Sequence, residues 1–339
     1  MPCVWLNSTA GARGLVCIGQ SIRLAFSRRR ERRRALLTPP VGPPSGRLAQ
    51  YRTLVELGAD TDSVIYDTNA ADFSLLGSGK LPLLADAPLP LHSHIDSSTG
   101  DLTLRELPSL RLEANEQRVD LFVVSLLPPE GHRLEEVLSD DELERAARFR
   151  MEKHRRRFVV ARAVLRMLLA AYTTTPAQAI RFRYGSAGKP SIDHSIRFNM
   201  SDSDDCAIYA VTENREIGVD LELLRAMPHA LQLAERFFSS PEVASLRSVN
   251  PARIDEAFFT CWTRKEAYVK ARGEGLTVPL HNFAVSVLPG EPPALLHAQS
   301  HPEELSRWSF HAIDVAGSVA SLVVEGKPQE IRKREIVKH

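Results

Sequence analysis

From Val119 onward, strand-like runs alternate with long helical stretches, but without the regular period of a parallel doubly wound sheet. That irregular alternation restricts the chain to an α+β body. "VDLFVVSL" (119–126) reads as a strand. "SDDELERAARF" opens with Ser139 and Glu142 at the spacing of a capping box. In "RRRFVVARAVLRMLLAAY" (155–172), Phe158, Ala161, Leu165, Leu168 and Tyr172 recur by threes and fours, one apolar face of a helix. Arg155, Arg162 and Arg166 share a neighbouring stripe that reads as a solvated rim. "CAIYAV" (206–211) and "EIGVDLELL" (216–224), with "TENRE" between them, predict a β-hairpin. Helices are expected near 229–238 and over 252–272, and strand-like runs at 283–288 and 318–324.

Several function classes are excluded early. The chain has 339 residues and no run of 18 apolar residues; its best candidate is interrupted by Arg162 and Arg166, so no membrane span is expected. Cys3, Cys17, Cys206 and Cys261 form no CxxC pair and no framework spacing, which points to a reducing, cytoplasmic setting and away from a thiolate metal site. His92 and His94 stand in a Pro/Ser-rich stretch with no metal motif around them. Net charge is +1 but uneven: nine Arg against one Glu in residues 1–50, then four basic against eleven acidic residues in 51–117. The remainder is neutral, which argues against a dedicated nucleic-acid binder.

Residues 1–117 differ from the rest. "RRRERRR" (28–34), "TPPVGPPSG" (38–46) and "LPLLADAPLPLHSHIDSSTGD" (81–101) have poor periodicity, so a low-order extension is expected, with a short helix near 47–57. Its first thirty residues lack acids, as organelle transit peptides do, and its Arg run suits an anionic surface equally well.

The chemistry concentrates in two stretches. In "GVDLE" (218–222), strand alternation puts Asp220 and Glu222 on one face and Val219 and Leu221 on the other. Two carboxylates so placed suit a hard cation such as Mg²⁺, or simply an exposed strand face. In "CWTRKEAYVKARGEGL" (261–276), Trp262, Glu266 and Lys270 fall at i, i+4 and i+8 on one helical stripe, and Gly273 is the expected stop. The helix alone reads equally as one carrying an exposed ion pair.

Taken in order, "GKP" (188–190), "FNMSDS" (198–203), "GVDLE", "WTRKEAYVK" and the following "GEGL" resemble the Sfp-type 4′-phosphopantetheinyl transferases of the W/KEA kind. The resemblance spans about Val119 to Val324. It implies two pseudo-symmetric α+β lobes in one chain: 118–212, then 213–327, with the seam near Thr212–Glu213 and a tail over 328–339. It also implies transfer of the phosphopantetheine arm of coenzyme A to a serine of an acyl or peptidyl carrier protein, with Mg²⁺ and release of adenosine 3′,5′-bisphosphate. By the same resemblance Asp220, Glu222 and Glu266 match metal ligands, and Glu266 and Lys270 match catalytic residues. Lys189, Pro190, Ser201, Lys265 and Arg162 match coenzyme A contacts. The partner is a carrier protein of polyketide, nonribosomal-peptide, fatty-acid or lysine pathways, acidic around its serine, and the enzyme is expected as a monomer. Asp202 departs from the pattern: it stands where many members carry a histidine that meets the 3′-phosphate of coenzyme A, and either faces that phosphate or, the favoured arrangement, turns toward a cation such as Arg162. The same residues leave room for a non-catalytic coenzyme A or carrier-protein binder, and for a Mg²⁺-dependent phosphodiester hydrolase.

Overall fold

The computed structural model describes residues 3–7, 13–17, 95–96, 101–127, 133–275, 278–299 and 301–337. The "RRRERRR" run, the expected helix near 47–57, His92 and His94, and Leu276 of "GEGL" lie outside the described residues.

Near the start, β1 (Cys3–Asn7) and β2 (Arg13–Cys17) pair as a two-stranded ladder. Short strands β3 (Ile95–Asp96) and β4 (Leu102–Thr103) precede the long β5 (Arg118–Ser125). Helices α1 (Asp140–Ala147) and α2 (Glu152–Thr173) follow. The two-residue strands β6 (Arg183–Tyr184) and β7 (Pro190–Ser191) pair with each other before the hairpin of β8 (Ile196–Ser203) and β9 (Cys206–Glu213). The second half opens with β10 (Ile217–Leu223) and helices α3 (Ala230–Phe237), α4 (Ser240–Ser248) and α5 (Ile254–Arg272). A small pair, β11 (Phe283–Val285) and β12 (Leu295–Ala298), and a short α6 (Glu304–Arg307) lead to the hairpin β13 (Trp308–Val315) and β14 (Ser318–Glu325). Strand β15 (Glu330–Val337) comes last.

The fold is α+β, and its halves repeat one plan. In the first, β5, α2 and the β8–β9 hairpin give the sheet order β5-β9-β8; in the second, β10, α5 and the β13–β14 hairpin give β10-β14-β13. Three cores follow from strand alternation. Val119 and Leu121 of β5 meet Ile217, Val219 and Leu221 of β10 between the sheets. Phe122 and Val124 pack with α2 residues such as Val164 and Leu168 on one side. On the other side Ala267 and Tyr268 of α5 pack with Val323 and Phe310.

Three expectations are corrected. The strands 206–211 and 216–224 form no hairpin: β9 pairs with β5 and β8, β10 pairs with β14, and residues 214–216 carry the chain between the two sheets. The hairpin instead joins β8 to β9 across Asp204, whose φ of 52° is the left-handed conformation Asp tolerates in tight turns. Second, the extension does not run to residue 117. β3 and β4 pair with β15, and Leu104 and Leu107 are buried in the first core. Third, 328–339 is no tail, because β15 runs parallel to β5 from Glu330–Arg118 to Ile336–Val124. Both segments escaped periodicity because their partners are far away in sequence.

Candidate active site

The contact of α5 with β10 builds the site. Gly218 lies under the helix: a Cβ there would fall 2.1 Å from the Ala267 carbonyl and 2.3 Å from the Ala271 nitrogen. Only glycine opposite two alanines lets the helix lie this close. On the same strand face, Asp220 and Glu222 then sit under Glu266 and Lys270, and all four are buried. α5 stops at Gly273 in the left-handed conformation (φ +69°), as its sequence predicts.

Lys270 Nζ donates to Asp220 Oδ1 at 2.5 Å, to Ser201 Oγ at 3.0 Å and to the Val219 carbonyl at 3.1 Å, while Ser201 Oγ donates to Asp220 Oδ1 at 2.8 Å. Ser203 Oγ and Arg225 Nη1 donate to Glu222 Oε2 at 3.2 and 3.3 Å. Asp220 Oδ2 and both oxygens of Glu266 are buried with no hydrogen-bond partner. Burial and the neighbouring Asp220 push Glu222 up to about 7, and burial, Asp220 and Glu222 push Glu266 up to about 8. Buried acceptors without donors are costly unless a proton or a cation neutralises them. Hard oxygens of this kind suit Mg²⁺, although among the described residues no three His, Cys, Asp or Glu side chains form a ready-made metal centre. Lys270 fills part of that role against Asp220.

The "FNMSDS" strand supplies the other wall. Alternation turns Asn199, Ser201 and Ser203 toward β10: the Val219 N–H donates to Asn199 Oδ1 at 3.0 Å, Ser201 meets Asp220, and Ser203 meets Glu222 and the Leu223 N–H. Side chains thus join two sheets that share no backbone ladder at this seam. Asn199 and Ser203 were not singled out in the sequence, though their i±2 spacing from Ser201 was the signal. Asp202 turns to the opposite strand face with Met200, near Tyr209 and Cys206, whose pKa values it helps to raise.

The expected coenzyme A contacts divide. Lys189 reaches α5, where its Nζ donates to the Ala271 carbonyl at 2.9 Å and pairs with Glu216 at 2.6 Å; desolvation lowers its pKa. With Ala187, Asn199, Val269, Lys270, Gly273 and Gly275 it lines a small cavity beside the carboxylates. Pro190 sits in the β6–β7 ladder opposite Tyr184.

Lys265 and Arg162 are not brought to this site. Lys265 is fully buried, pairs with Glu242 at 2.8 Å, donates to the Leu280 and Phe283 carbonyls at 2.7 Å each, and lies 4.2 Å from the Phe283 ring centre. Its neighbour Glu266 faces β10, because adjacent helical residues point about 100° apart. Arg162 and Arg166, read as a solvated rim, are buried on Glu142, with Nε–Oε distances of 2.5 and 2.6 Å. Glu142 also accepts the Ser139 N–H, completing the predicted capping box. Arg162, the cation named as an example of a partner for Asp202, pairs with Glu142.

The first lobe keeps a relic of the same layout. "VDLF" (119–122) stands where the second lobe has "VDLE" (219–222). Asp120 accepts from Tyr172 at 2.7 Å, and the Phe122 and Tyr172 rings meet edge to face. One carboxylate with a tyrosine and a phenylalanine makes a core, so the chemistry belongs to the second lobe.

Comparison with known proteins agrees with this geometry. Residues 216–324 match the model of the 4′-phosphopantetheinyl transferase superfamily, and residues 129–214 match that of the 4′-phosphopantetheinyl transferase N-terminal domain. The chain is 39% identical over 227 residues to the 4′-phosphopantetheinyl transferase HetI of Nostoc sp., covering 65% of this chain and 92% of HetI. It is 29% identical over 158 residues to the 4′-phosphopantetheinyl transferase Sfp of Bacillus subtilis, covering 46% of this chain and 69% of Sfp. With the two lobes, the carboxylate cluster and Lys270 on one strand–helix contact, and HetI matched over 92% of its length, the chain belongs to the 4′-phosphopantetheinyl transferase family.

Proposed function

We propose that this chain moves the phosphopantetheine arm of coenzyme A onto a serine hydroxyl of an acyl or peptidyl carrier protein, with Mg²⁺, and releases adenosine 3′,5′-bisphosphate. The observation that carries the reading is the set of donor-less carboxylate oxygens on Asp220 and Glu266 beside the Lys270 ammonium. Asp220, Glu222 and Glu266 would hold the metal, which supplies charge neutralisation to the pyrophosphate. The serine oxygen bonds to the β-phosphorus while the bridging P–O bond breaks, and the electron pair leaves on the nucleotide phosphate. Glu266 takes the serine proton, directly or through water. Lys270, released from Asp220, stabilises the leaving phosphate as a point charge or gives it a proton. Lys189, which lines the cavity beside the carboxylates, binds the coenzyme together with Pro190 and Ser201. The enzyme is read as a cytoplasmic monomer; the monomer reading is supported by Asp220, Glu222, Glu266 and Lys270 all coming from one chain.

The test is incubation with an apo-carrier protein and coenzyme A, with Mg²⁺ or with chelator, read by intact mass. One added phosphopantetheine per carrier with Mg²⁺, and none with chelator, is expected. An unmodified carrier across several carrier classes tells against transfer, and equal modification in chelator tells against the metal.

A further inference from the structure

Glu222, unlike Glu266, is held through one of its oxygens, as Asp220 is by Lys270 and Ser201. Ser203 Oγ and Arg225 Nη1 both donate to its Oε2, at 3.2 and 3.3 Å. Ser203 Oγ is itself fixed by the Leu223 N–H at 3.0 Å. Arg225 is fixed twice more, by the Leu223 carbonyl at 3.1 Å and by the Phe259 ring, 4.9 Å from its guanidinium carbon. Both bonds land on one oxygen and leave Oε1 for another role. Arg225 lies outside every motif the sequence analysis used.

A plain i,i+3 ion pair on a surface contributes little. Here the acid is only 7% exposed, and the arginine, although itself exposed, bonds through one nitrogen to both Glu222 and the Leu223 carbonyl while its guanidinium lies over the Phe259 ring. Two donors on one carboxylate oxygen have a purpose if the other oxygen must point in a set direction. We propose that Arg225 and Ser203 are positioning residues for the metal: they clamp Oε2 of Glu222 so that Oε1 is presented to the cation shared with Asp220 and Glu266. The inference rests on the Mg²⁺-dependent transfer proposed above.

Two physical effects of Arg225 have opposite signs. A guanidinium beside a divalent cation repels it, so by charge alone its loss strengthens Mg²⁺ binding. A group that orients a metal ligand favours the metal, and its loss typically costs about 10- to 100-fold in affinity. The sign of the change separates orientation from a bystander charge.

The experiment is titration calorimetry of Mg²⁺ into the full chain without coenzyme A, for the parent, Arg225→Ala, Arg225→Lys and Ser203→Ala. Thermal melting establishes that each variant is folded. The expected result is Mg²⁺ affinity weaker by about 10- to 100-fold in Arg225→Ala and Ser203→Ala, partly restored in Arg225→Lys, with kcat at saturating Mg²⁺ much less affected. Affinity that is unchanged or tighter in Arg225→Ala overturns the inference. So does a raised KM for the carrier protein with unchanged Mg²⁺ affinity, which marks Arg225 as a docking contact. A parent that binds no Mg²⁺ refutes the metal-dependent reading itself, whereas a parent that binds it beside unaffected variants refutes only the positioning role.

Discussion

Gly218→Ala tests whether the close approach of α5 to β10 sets the catalytic geometry. The new methyl would lie 2.1 Å from the Ala267 carbonyl and 2.3 Å from the Ala271 nitrogen. Carbon contacts are comfortable near 3.5 Å, so the helix must retreat by about 1 Å. Both obstacles are backbone atoms, and no side-chain rotation relieves them. The retreat carries Glu266 and Lys270 away from Asp220 and Glu222 as a unit. Overpacking of this kind costs about 1–3 kcal/mol of stability, a Tm drop of roughly 2–4 °C per kcal/mol in a body of this size. A 1 Å misplacement of catalytic groups costs about 100-fold in rate, so kcat/KM should fall far more than the melting point suggests. The control is Gly185→Ala, where the nearest atom to the new methyl is the Lys189 carbonyl at 3.8 Å. Carrier modification is followed by mass, and folding by thermal melting. Gly218→Ala within twofold of the parent in kcat/KM would refute the argument.

Metal-free stability should depend on pH in a defined direction. Glu222 and Glu266 titrate near 7 and 8 in the fold and near 4.5 unfolded. Between those values the folded chain holds protons that the unfolded chain has released, so their contribution is present below about 4.5 and is lost as pH rises to about 8. Melting of the metal-free protein should show that fall, less so in Glu266→Gln, and added Mg²⁺ should raise the Tm most at the high end; a Tm shift independent of pH counts against it. Lys265→Ala should cost about 3–5 kcal/mol by stranding Glu242 in the core, so a variant that melts with the parent would return Lys265 to the coenzyme. A chain beginning at Arg118 lacks Leu104 and Leu107, each worth about 1.5–3 kcal/mol of burial, together with the β3 and β4 pairings. It should therefore melt well below a chain beginning at Leu91, and equal melting would show that the segment adds nothing.

Local periodicity made much of the catalytic face legible. Alternation put Asp220 and Glu222 on one side of β10, the helical repeat put Glu266 and Lys270 on one stripe of α5, and Gly273 ended that helix. Those are properties of a few consecutive residues, so the sequence by itself determined them, as it did the Ser139–Glu142 capping box. Tertiary structure decided which charges remain for chemistry. Lys265 and Arg162 look as available in the sequence as Lys270, but Glu242 and Glu142 consume them across 23 and 20 residues. The strand β15 and the segment around Leu107 likewise gain meaning only beside β5 and α2. A buried charge must be neutralised by whatever the fold brings against it, and that partner is fixed by long-range packing, which no local spacing encodes.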